Sequence, residues 1–520
     1  MRKTGVIFTY GPSVSDSRVL KKMLASADGI RLNFSHMKRG EIKGLTARIR
    51  KIESELDAFI PVFGDISGTK IRLKYGGEPK KGDILRLSPE DLNIPEIIKF
   101  LKPGERVLID DGKIAGKIRS LRSGSLSVAI TCGGILPPNK GISFPDSKLE
   151  IPCISKKDIE DIEEAALAGV DFLFLSFVNK ADDITGIKKA VHALRSDIPV
   201  IAKIETKNAV KNIKKIIECS DGILIARGDL GSEMRTEEVP IIQKTIVKMA
   251  NEAGKLTFVA TGILDSMIKS GIPLRAEVAD ISNMVEEEVD AVMVTSETSI
   301  GEAPLKVLEV LNRVLKKSEA YYDPRTDKSS FVIKSLRFSR TKAIARSIYT
   351  NSEENDARAI INVTNSGETS LFCSKYRPTS PIFAVSDSAV TLRRCRIMWN
   401  VRPLFIKNAQ KAGTDRIIEE AGKRIRLKAG DIVLISKGFP EGAAGNTNSF
   451  SVFTVKRKGP GNSKNPGIDS GLCVLCGKCV NICPFGIFYF DKGIIRTRDH
   501  EKCIKDGLCT AGCPVKAVKI

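Results

Sequence analysis

Lys203-Ile204-Glu205 and Ala226-Arg227-Gly228-Asp229-Leu230-Gly231 place two carboxylates and a lysine in and just past short apolar runs. Two carboxylates on neighbouring elements suit one hard divalent cation such as Mg²⁺, which keeps several waters and takes its remaining oxygens from substrate. Lys203 and Arg31 then face phosphate. Similar runs end in Asn33, Ser35, Asp65, Ser176, Thr261 and Glu297. Taken singly, each of these is a solvated rim charge or a helix cap. Taken together they describe an anion and metal site of the kind that transfers phosphoryl groups, a reaction catalysed mostly by placing charge around the moving group.

The elements that must position these residues are short runs rich in β-branched side chains: Gly5–Tyr10, Gly29–Phe34, Pro61–Asp65, Asp171–Phe177, Pro199–Glu205, Gly222–Arg227, Leu256–Thr261 and Asp290–Thr295. Amphipathic helical segments such as Lys156–Ala168 and Val239–Ala253 separate them, the alternation expected of a parallel β/α architecture. Eight such runs fit a closed (β/α)8 barrel, whose active site assembles where the strands end.

The chain has 520 residues, 42% hydrophobic and 28% charged, which predicts several domains and a soluble globular protein. No apolar run reaches the ~18 residues needed to span a bilayer, and the N-terminal run is too short for a signal peptide. We therefore expect a cytoplasmic protein with no membrane association. Lysine and arginine outnumber acids by 83 to 62, a net charge of +21, which suits polyphosphate ligands. With 6% aromatics and no RRM, KH or helix-turn-helix signature, specific nucleic-acid binding is not expected. Of the 12 cysteines, Cys132, Cys153, Cys219, Cys373 and Cys395 are scattered, and the others crowd between Cys473 and Cys513.

The chain closely resembles pyruvate kinase in Thr9-Tyr10-Gly11-Pro12-Ser13, Arg31-Leu32-Asn33-Phe34-Ser35-His36, Lys203-Ile204-Glu205, Ala226-Arg227-Gly228-Asp229-Leu230-Gly231 and Arg275-Ala276-Glu277. Thr364-Asn365-Ser366-Gly367-Glu368-Thr369, Lys375-Tyr376-Arg377-Pro378 and Gly445-Asn446-Thr447-Asn448 extend the likeness through the family's C-terminal domain, to about residue 456. The resemblance implies a TIM barrel of residues 1–72 and 141–325, an inserted small β-barrel lid at 73–140 marked by Asp110-Asp111-Gly112, and an α/β regulatory-type domain at 326–456. It implies phosphate transfer from phosphoenolpyruvate to ADP, giving pyruvate and ATP in glycolysis, by a homotetramer.

By the same resemblance Glu205 and Asp229 bind Mg²⁺, and Lys203 stabilises the phosphoryl group in flight. Arg31 and Arg72 position phosphates, and join Asn33 and His36 in nucleotide binding. Thr261 belongs to the route that protonates the enolate. Ser176 and the backbone around Ala226, Arg227 and Gly228 hold substrate beside Asp229, and Asn33, Ser35 and Asp65 match the monovalent-cation ligands.

The family commonly reads Asp-Thr-Lys-Gly-Pro-Glu-Ile-Arg where this chain reads Asp65-Ile66-Ser67-Gly68-Thr69-Lys70-Ile71-Arg72. An acid has become Lys70, a tethered ammonium in place of a bound ion, and K⁺ is expected not to be required. Gly262 follows Thr261 where glutamine is usual, Leu274 replaces a threonine before Arg275, and Thr295-Ser296-Glu297 stands for Ser-Gly-Glu; these are expected around the substrate pocket. Glu368 disfavours a sugar-phosphate effector in the Thr364–Thr369 loop, leaving a regulator of another kind or none. The competing reading is a catalytically altered fold acting as a redox-responsive regulator or scaffold, which loss of Lys203, Glu205, Asp229 or Thr261 would have favoured.

After a turn-rich linker, residues 457–467, comes a 468–520 segment with Cys473-x-x-Cys476-x-x-Cys479-x-x-x-Cys483-Pro484. This is the bacterial ferredoxin run, whose thiolates bind a [4Fe–4S] cluster in an α+β ferredoxin-like fold. A second run, Cys503-x-x-Asp506-x-x-Cys509-x-x-x-Cys513-Pro514, carries Asp506 where a cysteine is expected. In the two-cluster fold the fourth cysteine crosses over, giving Cys473, Cys476, Cys479 and Cys513 to one cluster and Cys483, Cys503 and Cys509 to the other. Either Asp506 ligates the second cluster through oxygen or that site holds [3Fe–4S]. Redox sensing, docking to a ferredoxin-linked pyruvate oxidoreductase, and a structural role all stay open.

Overall fold

The computed structural model describes residues 2–38, 40–110, 112–122, 124–147, 149, 154–322, 333, 340–438, 447–455, 466–499, 502–504 and 507–519. Residues 1–426 and 432–453 form one compact unit, and residues 427–431 and 454–520 a second. Asp111, Cys153, Gly445, Asn446, Asp506 and most of the linker lie outside the described residues. Among the described residues no helix is long and apolar enough to cross a membrane.

In the first unit eight parallel strands close a barrel in chain order: Gly5–Thr9, Gly29–Asn33, Val62–Ile66, Phe172–Leu175, Val200–Ile204, Gly222–Ala226, Leu256–Ala260 and Ala291–Val294. The last pairs back onto the first, Gly5 opposite Ala291. These are the runs read from the sequence, and their side chains alternate between two cores. Val6, Phe8, Val62, Leu173 and Ile223 face the helices, while Ile7, Phe63, Phe174, Ile201 and Phe258 fill the interior. Phe63 stacks on Phe172 and Phe174 with ring centroids 4.8 and 5.1 Å apart, and Phe258 meets it edge-on at 5.9 Å. Two residues onward, the same inward positions carry Asp65, Ser176 and Lys203 instead. An apolar floor thus gives way to a polar rim where the strands end.

Between the third and fourth barrel strands the chain builds a curled antiparallel sheet with its own core of Leu73, Leu87, Val107, Ile118 and Val128. Its strand order is Arg72–Leu73, Lys140–Ser143, Arg106–Ile109, Ile114–Arg122, Ser125–Cys132, Ile84–Leu87. Beyond the barrel, a five-stranded sheet orders Val401–Phe405, Ile382–Ser386, Ala359–Val363, Ile432–Gly438 and Thr447–Thr454. In its Thr364–Thr369 loop, Gly367 adopts φ +85 and donates its N–H to Thr364 Oγ1 at 2.9 Å.

Barrel and C-terminal domain share a buried charge cluster. Asp290, fully buried, is flanked by Lys375 and Arg377, which are 0% and 2% exposed. The Lys375 ammonium bonds Asp290 and, at 2.8 Å, Asn251 Oδ1. Arg377 Nη1 lies 2.9 Å from the second Asp290 oxygen, and its guanidinium stacks 5.0 Å from the Trp399 ring centre. Burial would raise the Asp290 carboxyl, but Lys375 and Arg377 outweigh it and hold it below the usual range. Burial pushes Lys375 down to about 8 even against the pull of Asp290. Replacing Asp290 by alanine takes from buried Lys375 and Arg377 the carboxylate they share, and leaves Arg377 with Glu288 Oε2 at 4.0 Å, an expected loss of about 3–5 kcal/mol. Thermal unfolding of Asp290→Ala reads this directly, and an unchanged melting temperature would contradict it.

Candidate active site and iron–sulfur sites

Strands three, four and five end at one height, and their inward side chains meet. Lys203 Nζ lies 2.8 Å from Ser176 Oγ, 3.2 Å from Asp65 Oδ1 and 3.0 Å from Glu205 Oε1. Burial disfavours its charge, but Asp65 and Glu205 prevail and hold the ammonium's pKa above its ordinary value. Asp65, 2% exposed, receives Arg31 Nε on its other oxygen at 2.6 Å. Burial opposes its ionisation, and Lys203 and Arg31 overcome that. Glu205 accepts the Phe177 N–H at 2.7 Å. Its carboxyl is raised, first by burial and further by Asp229, against the pull of Lys203. A buried carboxylate with a second one beside it suits a divalent cation, and carboxylate oxygens are the hard donors Mg²⁺ takes.

One cavity is lined by Arg31, Asn33, Ser35, His36, Asp65, Lys70, Arg72, Ser176, Lys203, Glu205 and Asp229. The residues singled out in the sequence for phosphate, nucleotide and metal are therefore together. Lys70 Nζ sits 2.9 Å from Asp229 Oδ1 and 5.8 Å from the Phe177 ring centre. Ser35 donates to Ser67 Oγ at 2.8 Å, and Asn33 Oδ1 accepts the Ser35 N–H at 3.3 Å. Arg72 reaches the Asn139 carbonyl at 3.1 Å. Phe177, Ser67 and Asn93 also line this cavity. Phe177 takes φ +54, a turn that nothing in a phenylalanine announces.

Gly228, next to Asp229 in the chain, and Thr261 are not among the residues that line this cavity. A β-carbon on Gly228 would lie 3.1 Å from Thr261 Cγ2, so the glycine lets the threonine approach the backbone. Thr261 and Gly262 both adopt left-handed backbone, φ +70 and +67, a costly conformation for a β-branched residue. The Arg227 guanidinium fixes it by donating to the Thr261 carbonyl at 3.0 and 2.9 Å and to the Gly262 carbonyl at 2.8 Å, with Asp280 at 2.6 Å. The Arg227 side chain thus serves the backbone, and only its main chain is left for substrate. Two further expectations change. Glu297 is buried and accepts N–H groups from Leu264 and Thr295 at 3.2 and 2.7 Å, so it ties two loops together. Leu274 is 61% exposed at the start of helix Arg275–Glu286, with its N–H on Glu277 Oε2 at 2.8 Å, and is absent from the cavity wall.

The second unit repeats itself. Helices Lys478–Ile482 and Leu508–Gly512 each follow a glycine of positive φ, Gly477 at +71 and Gly507 at +77, and each ends at a cysteine, Cys483 or Cys513. Burial pushes the Cys479 thiol up, and Cys473 and Cys476 face it. Cys509 is likewise raised by burial and faces Cys483. Cys483, Cys503 and Cys509 line one small apolar cavity with Ile487, Phe488 and Leu508. Cys513 Sγ accepts the Ala517 N–H at 3.2 Å. Burial pushes its thiol up, but this and neighbouring N–H groups together outweigh it and hold the thiol below the usual range. Thiolates at helix ends with N–H donors on sulfur are the donor chemistry of iron–sulfur ligation, although among the described residues no three of them stand close enough to hold one metal ion.

Residues 1–308 match the family model "Pyruvate kinase, barrel domain". The chain belongs to the pyruvate kinase family. Residues 342–453 match the pyruvate kinase alpha/beta domain, and residues 472–517 a 4Fe-4S dicluster domain. A pyruvate kinase from Clostridium perfringens is 32% identical over 481 residues, 88% of this chain and 100% of that one. Pyruvate kinase 2 of a Synechocystis strain is 33% identical over 475 residues, 88% of this chain and 80% of that one. The crystal structure of a pyruvate kinase from Cryptosporidium parvum superposes with a TM-score of 0.82 at 27% identity, covering 87% of this chain and 96% of that one. As a pyruvate kinase family member the chain is a phosphotransferase enzyme, here with an iron–sulfur domain at its C-terminal end. If Arg227 holds Thr261 in place, Arg227→Ala should lower kcat about 100-fold, the effect of misplacing a reacting group by about an ångström. A steady-state assay of pyruvate formation reads it, and wild-type kcat in the variant would remove the role.

Proposed function

We propose that the chain transfers the phosphoryl group of phosphoenolpyruvate to ADP, giving ATP and the enolate of pyruvate, which a proton then converts to pyruvate, as a cytoplasmic, homotetrameric enzyme of glycolysis. What carries this reading is the charged Lys203 held among Asp65, Glu205 and Ser176 above an apolar barrel floor. Glu205 and Asp229 are the residues that would hold Mg²⁺, which when bound would neutralise charge on phosphate oxygens. Lys203 and Arg31 stabilise the phosphoryl group between donor and acceptor. Arg72, with Asn33 and His36, orients the nucleotide. The main chain at Ala226, Arg227 and Gly228, with Ser176, receives the substrate carboxylate, and Thr261 Oγ1 lies on the proton's route to the enolate. The sheet inserted after Arg72 serves as a lid that excludes water from the transfer. Lys70 adds a fixed positive charge to the cavity that holds Asn33, Ser35 and Asp65, and so stands in for K⁺.

The iron–sulfur domain holds two clusters, one on Cys473, Cys476, Cys479 and Cys513, the other on Cys483, Cys503 and Cys509, with Asp506 or no fourth ligand. Its exposed apolar side chains, among them Val474 at 60%, Leu475 at 47% and Ile504 at 60%, lie beside the cysteines. Such a collar supports docking to a ferredoxin-linked pyruvate oxidoreductase, which would receive the product of the kinase.

Lys203→Met should lower turnover by at least about 10²–10³ without unfolding the protein, since one preorganised charge in a desolvated site is worth that much. Retained turnover in the variant would remove this role for Lys203, and an inactive wild type would favour the scaffold reading. Wild-type turnover should be indifferent to K⁺, and Lys70→Glu should acquire a K⁺ requirement; a wild type stimulated by K⁺ removes the substitution argument. For the tail, Cys509→Ser should lose about half of the bound iron, and unchanged iron content would reduce the domain to one cluster. Capture of partners on the cluster-loaded protein tests docking. Failure to retain the oxidoreductase, together with a kinase rate that follows cluster oxidation, would make the domain a sensor instead.

A further inference from the structure

An aspartate immediately precedes the second, fourth, sixth and eighth barrel strands: Asp28, Asp171, Asp221 and Asp290. Each makes the same two bonds to the strand before. The Asp28 N–H donates to the Val6 carbonyl at 2.8 Å, and its Oδ2 accepts the Val6 N–H at 3.0 Å. Asp171 bonds Val62 in this way at 3.0 and 2.8 Å, Asp221 bonds Val200 at 2.9 and 2.8 Å, and Asp290 bonds Thr257 at 3.1 and 2.8 Å. The base of the barrel is thereby clasped into four strand pairs. The clasps differ in what neutralises them. Asp28, Asp171 and Asp290 are buried, and each meets a cation of the α/β domain: Arg396 Nη2 at 3.0 Å, Arg393 Nη1 at 3.9 Å, and Lys375 with Arg377. Arg2 and Arg50 of the barrel complete the first two at 2.5 Å. Asp221 is partly exposed and takes Lys188 of its own barrel at 2.7 Å. Arg394 reaches the loop before the fifth strand through Asp197, an exposed carboxylate, and such a surface pair is worth little.

We propose that these aspartates are positioning residues, each fixing the relative height of the two strand ends above it, and that the α/β domain braces three of the pairs and leaves the pair of the metal carboxylates to the barrel. The inference rests on the kinase reading given above for what the strand ends do. The first N–H of a strand lies beyond the ladder and needs an acceptor from elsewhere. The aspartate supplies it, and because its own N–H donates back, the two strands cannot slide without breaking both bonds. An extended strand has no slack along its axis, so a slip at the base is carried to the tip. The first pair ends in Thr9 and Arg31, and the second in Asp65 and Ser176, both bonded to Lys203. The third carries Lys203, Glu205 and Asp229, and the fourth Thr261 and Glu297. A carboxylate buried without counter-charge is costly, which is why the three clasps that lie buried take cations from the α/β domain as well.

Asp221→Ala should weaken Mn²⁺ binding to the substrate-free full chain about tenfold, as loss of a group that supports metal ligands does, read by electron paramagnetic resonance. Asp171→Ala should leave that affinity within about twofold of wild type, yet lower kcat about tenfold with KM changed less. Asp171→Asn keeps an oxygen for the Val62 N–H and should recover most of the rate. Arg396→Gln should speed hydrogen–deuterium exchange of residues 5–9 about tenfold, as loss of one bond to a charged group would, and leave residues 200–204 at the wild-type rate. Wild-type Mn²⁺ affinity in Asp221→Ala, equal losses in the Asp171 and Asp221 variants, or exchange in Arg396→Gln that rises evenly over all eight strands would overturn the proposal. Should Asp171→Ala fail to fold, the exchange pattern of Arg396→Gln decides. Metal binding and exchange are read without turnover, so an inactive wild type would remove the kinase reading and leave the clasps to be judged on their own.

Discussion

Lys203 is 8% exposed at the top of a barrel packed with phenylalanine, and water cannot solvate its charge there. Moving an ammonium into such surroundings costs several kcal/mol unless paired groups replace the lost hydration. Asp65, Glu205 and the Ser176 hydroxyl are those groups. They come from three adjacent strands, so the demand fixes where those strands end. It also spreads outward, because each carboxylate brought in needs its own partner. Arg31 takes the second oxygen of Asp65, the Phe177 N–H takes the second oxygen of Glu205, and Lys70 takes Asp229. Asp65, Glu205 and Asp229 are thereby matched by Lys203, Arg31 and Lys70. A site so balanced can accept a divalent cation together with anionic substrates without gaining a large net charge.

Thr261 shows a second constraint, geometric rather than electrostatic. A left-handed threonine followed by a left-handed glycine is a backbone that relaxes unless something holds it. Arg227 holds it by occupying both exposed carbonyls. The glycine departure at 262 has a place in this arrangement, since its φ of +67 is one that a side chain would strain. Nothing in the structure explains Ser296, which stands where the family carries glycine.

The barrel was legible because its strands switch character two residues apart. Phe63 to Asp65, Phe174 to Ser176 and Ile201 to Lys203 are the same inward register, apolar below and polar above. Both the fold and the identity of the rim follow from that single period. What residue type could not convey was direction. Arg227 stands in sequence among the strand-end charges of the substrate site, but a guanidinium bonds whatever carbonyls surround it, and here those belong to the next loop. Glu297 ends its strand as the metal carboxylates do, yet it faces N–H groups rather than the cavity.

The iron–sulfur domain follows a different logic, in which a short helix sorts the ligands. Cys479 lies in the first turn of Lys478–Ile482 and Cys483 just past its end, about 6 Å apart along the helix at 1.5 Å per residue. The N-terminal end faces Cys473 and Cys476, and the C-terminal end opens on the cavity of Cys503 and Cys509. Cys483, the fourth cysteine of the first run, is therefore carried to the cavity of Cys503 and Cys509 in the second. A consequence is that replacing the second cysteine of the second run by Asp506 changes the ligands of one site alone. The site of Cys473, Cys476 and Cys479 keeps its thiolate set. In the two-cluster arrangement proposed above, the other would either use a harder oxygen donor or lose an iron, and since the charge and ligands of a cluster set its potential, the two sites would not be electronically equivalent.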